Sequence, residues 1–312
     1  MTVAIDRSTV IRGPGTVQLG SVKMCDHDSI KADLKIESFD VPVSAYGIVD
    51  TRRKDITGAI SFRPCGEITA AILAALFPHG SPSIGASLFG ATDTSCIVHS
   101  TAGQKATFHS AALTKMPSLK LSTTETAFSS AAEITALVKN NTARTADASF
   151  YSIASETWAG VFDVANVKGG AYQGTWGTGP GITFQTAEGW DVEFDMQTAP
   201  QYCDGVGTFD VLLSGVTARA KCRPVGLSES TLLGYLNLQG ANAVMGGSMR
   251  SGLDLVITAS GGLTVTLKEA ALVIGPMEWG MNSLRVGEIG FVAHRAIAAG
   301  VPGALFTVAM AA

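Results

Sequence analysis

Two segments of the chain alternate between apolar and polar residues at nearly every position. They are 29–38, SIKADLKIES, and 189–198, GWDVEFDMQT, and they lie 160 residues apart. The apolar positions are Ala32, Leu34 and Ile36 in the first segment, and Trp190, Val192, Phe194 and Met196 in the second. Because successive side chains of a strand point to opposite faces, this pattern predicts two half-buried β-strands, each with one charged face.

A second pair of related segments has the periodicity of a helix. Residues 66–80, GEITAAILAALFPHG, and 226–240, GLSESTLLGYLNLQG, both run from glycine to glycine at the same offset of 160. In the first segment the apolar residues fall at helical spacing, Glu67 suits the positive N-terminal end, and Pro78 ends the helix. Ser228 is the expected N-cap of the second helix.

The remaining matches predict hairpins and closing strands. Residues 95–113 and 253–272 each predict a β-hairpin around a glycine turn, and each continues into AAL and a later proline. Residues 131–138 and 285–293 each predict a closing strand. The same order of elements recurs at offsets of 155 to 160, which indicates a tandem duplication.

The duplication predicts the fold class and the domains. We expect a mainly β protein with two tandem β-sandwich or barrel domains, each flanked by one short α-helix. The first domain covers residues 1–140, a linker covers 141–154, and the second domain covers 155–312 with an apolar C-terminal arm that packs on a neighbour. Residues 38–54 and 197–208 are interpreted as long loops between strands.

The composition is typical of folded domains, and the net charge does not favour nucleic acid as a partner. Of the 312 residues, 46% are hydrophobic and 15% are charged, which is sufficient for sizeable cores. The net charge of −4 does not favour a protein that attracts nucleic acid by charge. Residues 1–155 carry 14 basic and 13 acidic side chains, whereas residues 156–312 carry 8 and 13, so the negative charge belongs to the second half.

The cysteines and the apolar segments bear on the compartment. The five cysteines form no CxxC pair and favour free thiols in a reducing compartment. We find no signal-peptide core and no apolar run of about 20 residues, so we expect no membrane partner.

Patterns that carry chemistry are weak in this sequence. The segment CDHD, residues 25–28, places four metal-ligating side chains together, but neighbours on an extended segment point to opposite faces, so a solvated turn is favoured. The glycine-rich segment 174–181 lacks the spacing of a nucleotide-binding loop. The five histidines have no partners at the spacing of a catalytic triad. We therefore expect no enzyme, no catalytic residue, no cofactor and no metal site.

Two charged groups of residues have a structural and a functional interpretation. Asp191, Glu193 and Asp195 form either a solvated outer face or the lining of a channel. In the first half, Lys31, Asp33 and Lys35 hold the matching positions. The basic residues Arg52, Arg53 and Lys54 form either a charged loop tip or an electrostatic contact with a neighbouring subunit.

The order of these segments resembles that of the tail tube (major tail) proteins of long-tailed bacteriophages. The resemblance is carried by GPG at 13–15, the strand 31–36, the long loop expected at 38–54, ITGAISFRPCGEI at 56–68 and AALTKMPSLKLS at 111–122, with second-half counterparts at 212–226, 270–281 and 284–293. It covers nearly the whole chain, and no single motif in it is diagnostic. Some members of that family look like two fused tube domains, and this chain has that form.

The resemblance implies two tail-tube-like domains in a structural virion protein, made in the host cytoplasm and built into the phage tail. Its rings would stack into a hollow tube through which double-stranded DNA passes without specific binding. Tape-measure, tail-terminator and distal tail proteins would be its partners. Because tubes of this family place six tube domains around the axis, a two-domain chain predicts homotrimeric, pseudo-hexameric rings. The charged strand residues would line the lumen, and Arg52, Arg53 and Lys54 would contact the next ring.

Other interpretations remain open from the sequence. The chain could be another tube or baseplate component of the same fold, in a contractile tail or a secretion apparatus. A carbohydrate-binding β-sandwich would need exposed aromatic residues, for which the four tryptophans are the few candidates: Trp158, Trp176, Trp190 and Trp279. An enzyme on a duplicated β scaffold would need a catalytic constellation that the sequence does not offer.

Overall fold

The computed structural model describes residues 15–90, 94–123, 128–138, 150–158, 160, 162–168, 172–177, 182–203, 207–225, 252–259, 261–274, 277–280, 283–298 and 300–310. Within these ranges the protein is mainly β, as predicted, with one α-helix.

The strands of the first half are β1 (Gly15–Leu19), β2 (Val22–Cys25), β3 (Lys31–Val43), β4 (Gly47–Phe62), β5 (Cys96–Ser100), β6 (Gln104–Phe108), β7 (Ser110–Lys115), β8 (Leu119–Leu121), β9 (Ala132–Leu137) and β10 (Tyr151–Ser155). Those of the second half are β11 (Tyr172–Trp176), β12 (Ile182–Cys203), β13 (Gly207–Val225), β14 (Leu255–Ala259), β15 (Leu263–Leu267), β16 (Ala271–Ile274), β17 (Met277–Gly280), β18 (Ser283–Val286), β19 (Ile289–Val292), β20 (Ile297–Ala298), β21 (Val301–Pro302) and β22 (Phe306–Met310). Helix α1 spans Ala70–Leu76, and a 3-10 turn spans Val164–Asn166.

Each half contains a set of four paired strands, and the strand order is the same in both halves. In the first half the order is β3-β4-β9-β7, and in the second half it is β12-β13-β19-β16. The register agrees as well, because Ala32 lies opposite Ile60 and Val192 lies opposite Ala220. The offset of 160 residues between the sequences therefore also relates these strands in space.

A second arrangement repeats in the same way. The first half pairs its strands in the order β2-β1-β5-β6-β10, and the second half in the order β12-β11-β14-β15-β22. Strand β12 belongs to both arrangements because it continues through the positions that separate β2 from β3 in the first half. The predicted hairpins 95–113 and 253–272 are present, and Gly103 and Gly262 turn them with φ of 81° and 86°. Glycine adopts such positive φ angles without steric cost.

The interpretation of residues 38–54 and 197–208 as long loops is wrong. Residues 38–54 lie in β3 and β4, which reverse between Val43 and Gly47, where Tyr46 N donates to Val43 O at 2.9 Å. Residues 197–203 and 207–208 lie in β12 and β13, and 204–206 are outside the described residues. Both hairpins are long, and residues 38–54 are exposed on both faces of the first one, so they lack the buried alternating face that reveals a strand in sequence.

Helix α1 is shorter than the predicted 66–80. Thr69 caps it, since its Oγ1 accepts a hydrogen bond from Ile72 N at 3.2 Å, and three apolar side chains of the helix are buried. Glu67 precedes the cap, so its expected role at the helix N-terminus is wrong. The matching second helix, 226–240 with Ser228, lies outside the described residues.

Two boundary predictions also change. Residues 151–154 of the expected linker belong to β10, which pairs with β6 of the first half, while 139–149 lie outside the described residues. The end of the expected C-terminal arm is β22, which pairs with β15 of its own chain and buries Phe306 completely. The apolar residues of this segment therefore cover an edge of their own sheet.

The buried side chains of both halves join in one hydrophobic cluster. In the second half its centre is aromatic: the Phe184 ring stands edge-on to Trp190 at 6.2 Å and to Phe291 at 5.7 Å. Gly174 lies against this group, since a Cβ at that position would overlap the Trp190 indole. The second half thus has a closely packed core that extends to the first half.

Candidate self-assembly surface

The first half of the chain adds a strand to the edge of the second half. Strand β8 pairs antiparallel with β12, with Leu121 opposite Trp190 and Leu119 opposite Val192. Lys120 Nζ donates to Asp191 Oδ2 at 3.0 Å across this pair. Strand β8 thus pairs with an edge of β12 that would otherwise carry unpaired N–H and C=O groups.

The C-terminal end of helix α1, in the first half, packs against the apolar face of β12. The Phe77 ring, at its C-terminal end, lies 4.9 Å from that of Phe194, which also contacts Phe306 at 4.6 Å. Gly80 O accepts a hydrogen bond from Leu305 N at 2.7 Å. The predicted alternation of β12 is confirmed, since Trp190, Val192, Phe194 and Met196 are all buried.

A third contact joins residues 85–88 to β13. Gly85 N donates to Leu213 O at 2.7 Å, and Leu88 N donates to Val211 O at 2.9 Å. Ser87 Oγ donates to Asp210 Oδ1 at 2.6 Å. Sequence reasoning missed this contact and that of β8, because strand additions of three or four residues are too short to give a periodic signal.

The equivalent surface of the first half lacks these contacts among the described residues. Strand β3 is the last strand of its sheet, so one of its edges is free there. Leu34 and Ile36 are 42% and 58% exposed, whereas Phe194 and Met196 at the equivalent positions are 4% and 9% exposed. The prediction that one face of β3 is buried is therefore wrong for the single chain, because its apolar side chains stay exposed while Phe77 and Phe306 cover Phe194 on β12.

The residues predicted to line a lumen are at the surface. Lys31, Asp33 and Lys35 are exposed on β3, Glu193 and Asp195 are exposed on β12, and Asp191 is partly exposed. Asp191 pairs with Lys120, and Glu193 Oε1 accepts from Lys221 Nζ at 3.2 Å. Lys35 Nζ lies 2.6 Å from Glu37 Oε1, and this hydrogen bond raises the pKa of Lys35. The structure thus places acidic and basic groups side by side on these strands.

The predicted basic tip lies on strand β4. Arg52 Nε donates to Asp50 Oδ2 of the same strand at 3.1 Å, and Lys54 Nζ lies 5.3 Å from the centre of the Tyr202 ring of β12. All three residues, Arg52, Arg53 and Lys54, are exposed.

The tip of the second long hairpin meets strand β4 of the first beside this basic group. Asp55 accepts hydrogen bonds from Thr208 N at 3.0 Å and from Thr208 Oγ1 at 2.6 Å. Gly207 has φ of 79°, and a Cβ there would overlap the Asp55 carboxylate. A groove of about 300 Å³ lies along this contact, between Lys35 of β3 and Pro200 of β12. The contact fixes the second hairpin against the first within one chain.

The prediction that all five cysteines are free thiols is wrong. Cys25 and Cys65 form a disulfide, so these two are not free thiols, whereas Cys96, Cys203 and Cys222 are not disulfide-bonded. Burial raises the pKa of Cys96 to about 12, which keeps it a neutral thiol. The pairing could not be predicted from spacing, because it depends on the packing of β2 beside the segment after β4.

Potential metal ligands converge only around this disulfide within the described residues. The group is Cys25, Cys65 and the buried Glu67. The rest of CDHD forms the expected turn, in which His27 Nδ1 lies 2.6 Å from Asp28 Oδ1 and both side chains are exposed. The disulfide commits both sulfur atoms, so the structure gives this group no role as a metal centre.

Two of the four tryptophans considered as carbohydrate-binding platforms are not exposed to solvent. Trp176 and Trp190 are both buried, and Trp176 Nε1 donates to Ala270 O at 3.0 Å. Their burial weighs against the carbohydrate-binding interpretation, which needs exposed aromatic faces.

Comparison with known proteins gives no relative: no family model and no curated protein matches the sequence. In the described part of the chain, no helix is long and apolar enough to cross a membrane.

Proposed function

We propose that this chain is a structural virion protein whose copies form stacked rings, and that these rings make the hollow tail tube of a long-tailed phage. The observation that carries the proposal is the difference between the two equivalent hairpins. The hairpin β12–β13 is covered by the first half of its own chain, whereas the face of β3 is exposed in the described structure. A chain with one covered and one uncovered version of a surface can associate head to tail, and such contacts close into rings.

The duplication favours three chains in each ring. Two tube-like units in one chain make one of every two unit-to-unit contacts intramolecular, which lowers the entropy cost of assembly. The three contacts described above are of this intramolecular kind. Repeating them between chains gives a homotrimeric ring of six units.

The charged strand faces suit a lumen that DNA crosses without being held. Lys31, Asp33 and Lys35 would alternate around the ring with Asp191, Glu193 and Asp195. Ion pairs at Lys35, Asp191 and Glu193 mix the two signs of charge on this surface. A cluster of lysine and arginine would bind phosphates and slow the passage of double-stranded DNA, which this arrangement avoids.

The remaining roles follow from the same proposal. Arg52, Arg53 and Lys54 would contact acidic groups of the next ring, while tape-measure, tail-terminator and distal tail proteins would bind inside the tube or at its ends. The chain would work without catalysis or a cofactor, in the host cytoplasm during assembly and then in the virion.

Negative-stain electron microscopy of the purified full-length chain tests the proposal. We expect rings or hollow tubes for the natural sequence, and single chains with an unchanged circular dichroism spectrum for Leu34→Asp. Val301→Asp is a matched control, since Val301 is 68% exposed and lies outside the proposed surface, and it should assemble normally. A natural chain that stays monomeric at high concentration would contradict the proposal.

A further inference from the structure

The contact between β8 and β12 has a counterpart that the single chain does not make. Strand β8 follows AAL at 111–113 and Pro117, and β17 follows AAL at 270–272 and Pro276. The offset of 159 places Leu119 with Glu278 and Leu121 with Gly280. Both strands also pair with the segment that follows them, β8 at Phe128 and β17 with β18. Strand β17 is therefore the second-half equivalent of β8.

The surfaces that these two strands meet are equivalent too. Strand β8 lies opposite 190–192 of β12, and the matching residues in the first half are 30–32, which comprise Ile30 and the first two residues of β3. Among the described residues, β3 pairs only with β4 and β17 pairs only with β18. Each strand thus has a free edge, and the two edges are not paired with each other within the chain.

We infer that β17 of one chain adds to the free edge of β3 in the next chain, antiparallel and in the register of β8 on β12. This inference rests on the proposed ring assembly and specifies its interface. Copying the in-chain register places Glu278 opposite Ala32, as Leu119 lies opposite Val192. A second copy of the chain is the occupant, because the interface continues the one that already joins the two halves.

The pairing accounts for two features of the monomer. A strand edge that would promote uncontrolled aggregation is covered by a defined partner. Leu34 and Ile36 lie along the same strand, and the neighbouring chain would bury them as the first half buries Phe194 and Met196. The contact is head to tail, so its repetition closes a ring with no free β3 edge.

Engineered disulfides test the register. Directly opposed residues of antiparallel strands have Cα atoms about 4.5–5.5 Å apart, which suits a disulfide. Ala32→Cys with Glu278→Cys, in a Cys203→Ser background that removes the exposed thiol, should form cross-links between chains under mild oxidation. Non-reducing gels should show covalent dimer and trimer that dithiothreitol returns to monomer.

Two controls define the result. Leu119→Cys with Val192→Cys reproduces the same pair within the chain. It should form a disulfide within each chain and give no covalent oligomers on the gel. Ala32→Cys with Arg285→Cys moves the second thiol to β18, one strand further away, at about 10 Å from β3, and should not cross-link. Hydrogen exchange of the unsubstituted chain gives an independent measurement, because the amides of 30–33 should become protected on assembly.

These measurements distinguish failure of the β17–β3 pairing from failure of the proposed ring assembly. Covalent oligomers larger than trimer would support the strand pairing and contradict closure with three chains. Tubes without cross-links and without protection of 30–33 would overturn the pairing and leave tube assembly standing. Absence of tubes, cross-links and protection would overturn both.

Discussion

Leu34 and Phe194 hold equivalent positions, but truncation at Phe194 should destabilise the single chain far more than truncation at Leu34. Phe194 is 4% exposed and packs against Phe77 and Phe306, whereas Leu34 is 42% exposed. Phe194→Ala should therefore lower the free energy of unfolding by about 3–5 kcal/mol, the usual cost of removing a buried phenylalanine. Leu34→Ala loses only part of the burial of a leucine, so its expected cost is about 1 kcal/mol.

Leu34→Ala should weaken assembly even though it costs the single chain little stability. If the next chain buries the remainder of this side chain, Leu34→Ala loses about 1 kcal/mol more at every interface, which is about a fivefold loss in each association constant. Sedimentation and light scattering would follow tube formation against chain concentration. Urea unfolding would be measured at a dilution where sedimentation shows single chains.

Two results would contradict the proposed role of Leu34. If Leu34→Ala destabilised the single chain as much as Phe194→Ala, the face of β3 would already be covered within the monomer. If Leu34→Ala left the critical concentration of assembly unchanged, this face would lie outside the interface.

Three further substitutions test the packing within the chain. Gly174→Ala places a methyl group against the Trp190 indole and should lower the free energy of unfolding by about 1–3 kcal/mol in urea. Asp55→Ala removes the carboxylate that binds Thr208, and its expected cost is about 1.5–3 kcal/mol, with faster hydrogen exchange at the second hairpin tip. Cys25→Ser opens a disulfide between residues 40 apart in sequence and should lower the free energy of unfolding by about 4 kcal/mol.

Each of these substitutions has a control that separates its cause from a general effect. Gly160 has open space around it, so Gly160→Ala should leave the urea midpoint unchanged. Asp33→Ala removes an exposed carboxylate of the same sheet, and Cys203→Ser removes an exposed thiol outside the disulfide. If the controls were as costly as the test substitutions, the assigned contacts would not be responsible.

The sequence predicted most where a strand has one buried face. The alternation around Phe194 and the repeated hairpins were readable because packing against a core imposes a strict period on the residues. It predicted least at residues 38–54 of the first long hairpin, which are exposed on both faces in the single chain. The charged residues of this part, such as Arg52 and Asp50, look like those of a loop because no core selects against them.

The candidate surface could be predicted only in part. The charged residues of β3 and β12 were found from their alternation, and the structure places them at the surface. The cover that α1, β8 and residues 85–88 provide was not found, because it depends on how the two halves pack rather than on a local pattern. The contrast between Leu34 and Phe194 became visible only when both environments could be compared.

The number of chains in one ring of the assembled tube, counted by cryo-electron microscopy, tests the proposed assembly most directly. We expect three chains related by threefold symmetry, with six tube-like units around the lumen. A ring of six chains with twelve units, or an assembly in which first halves contact only first halves, would contradict it.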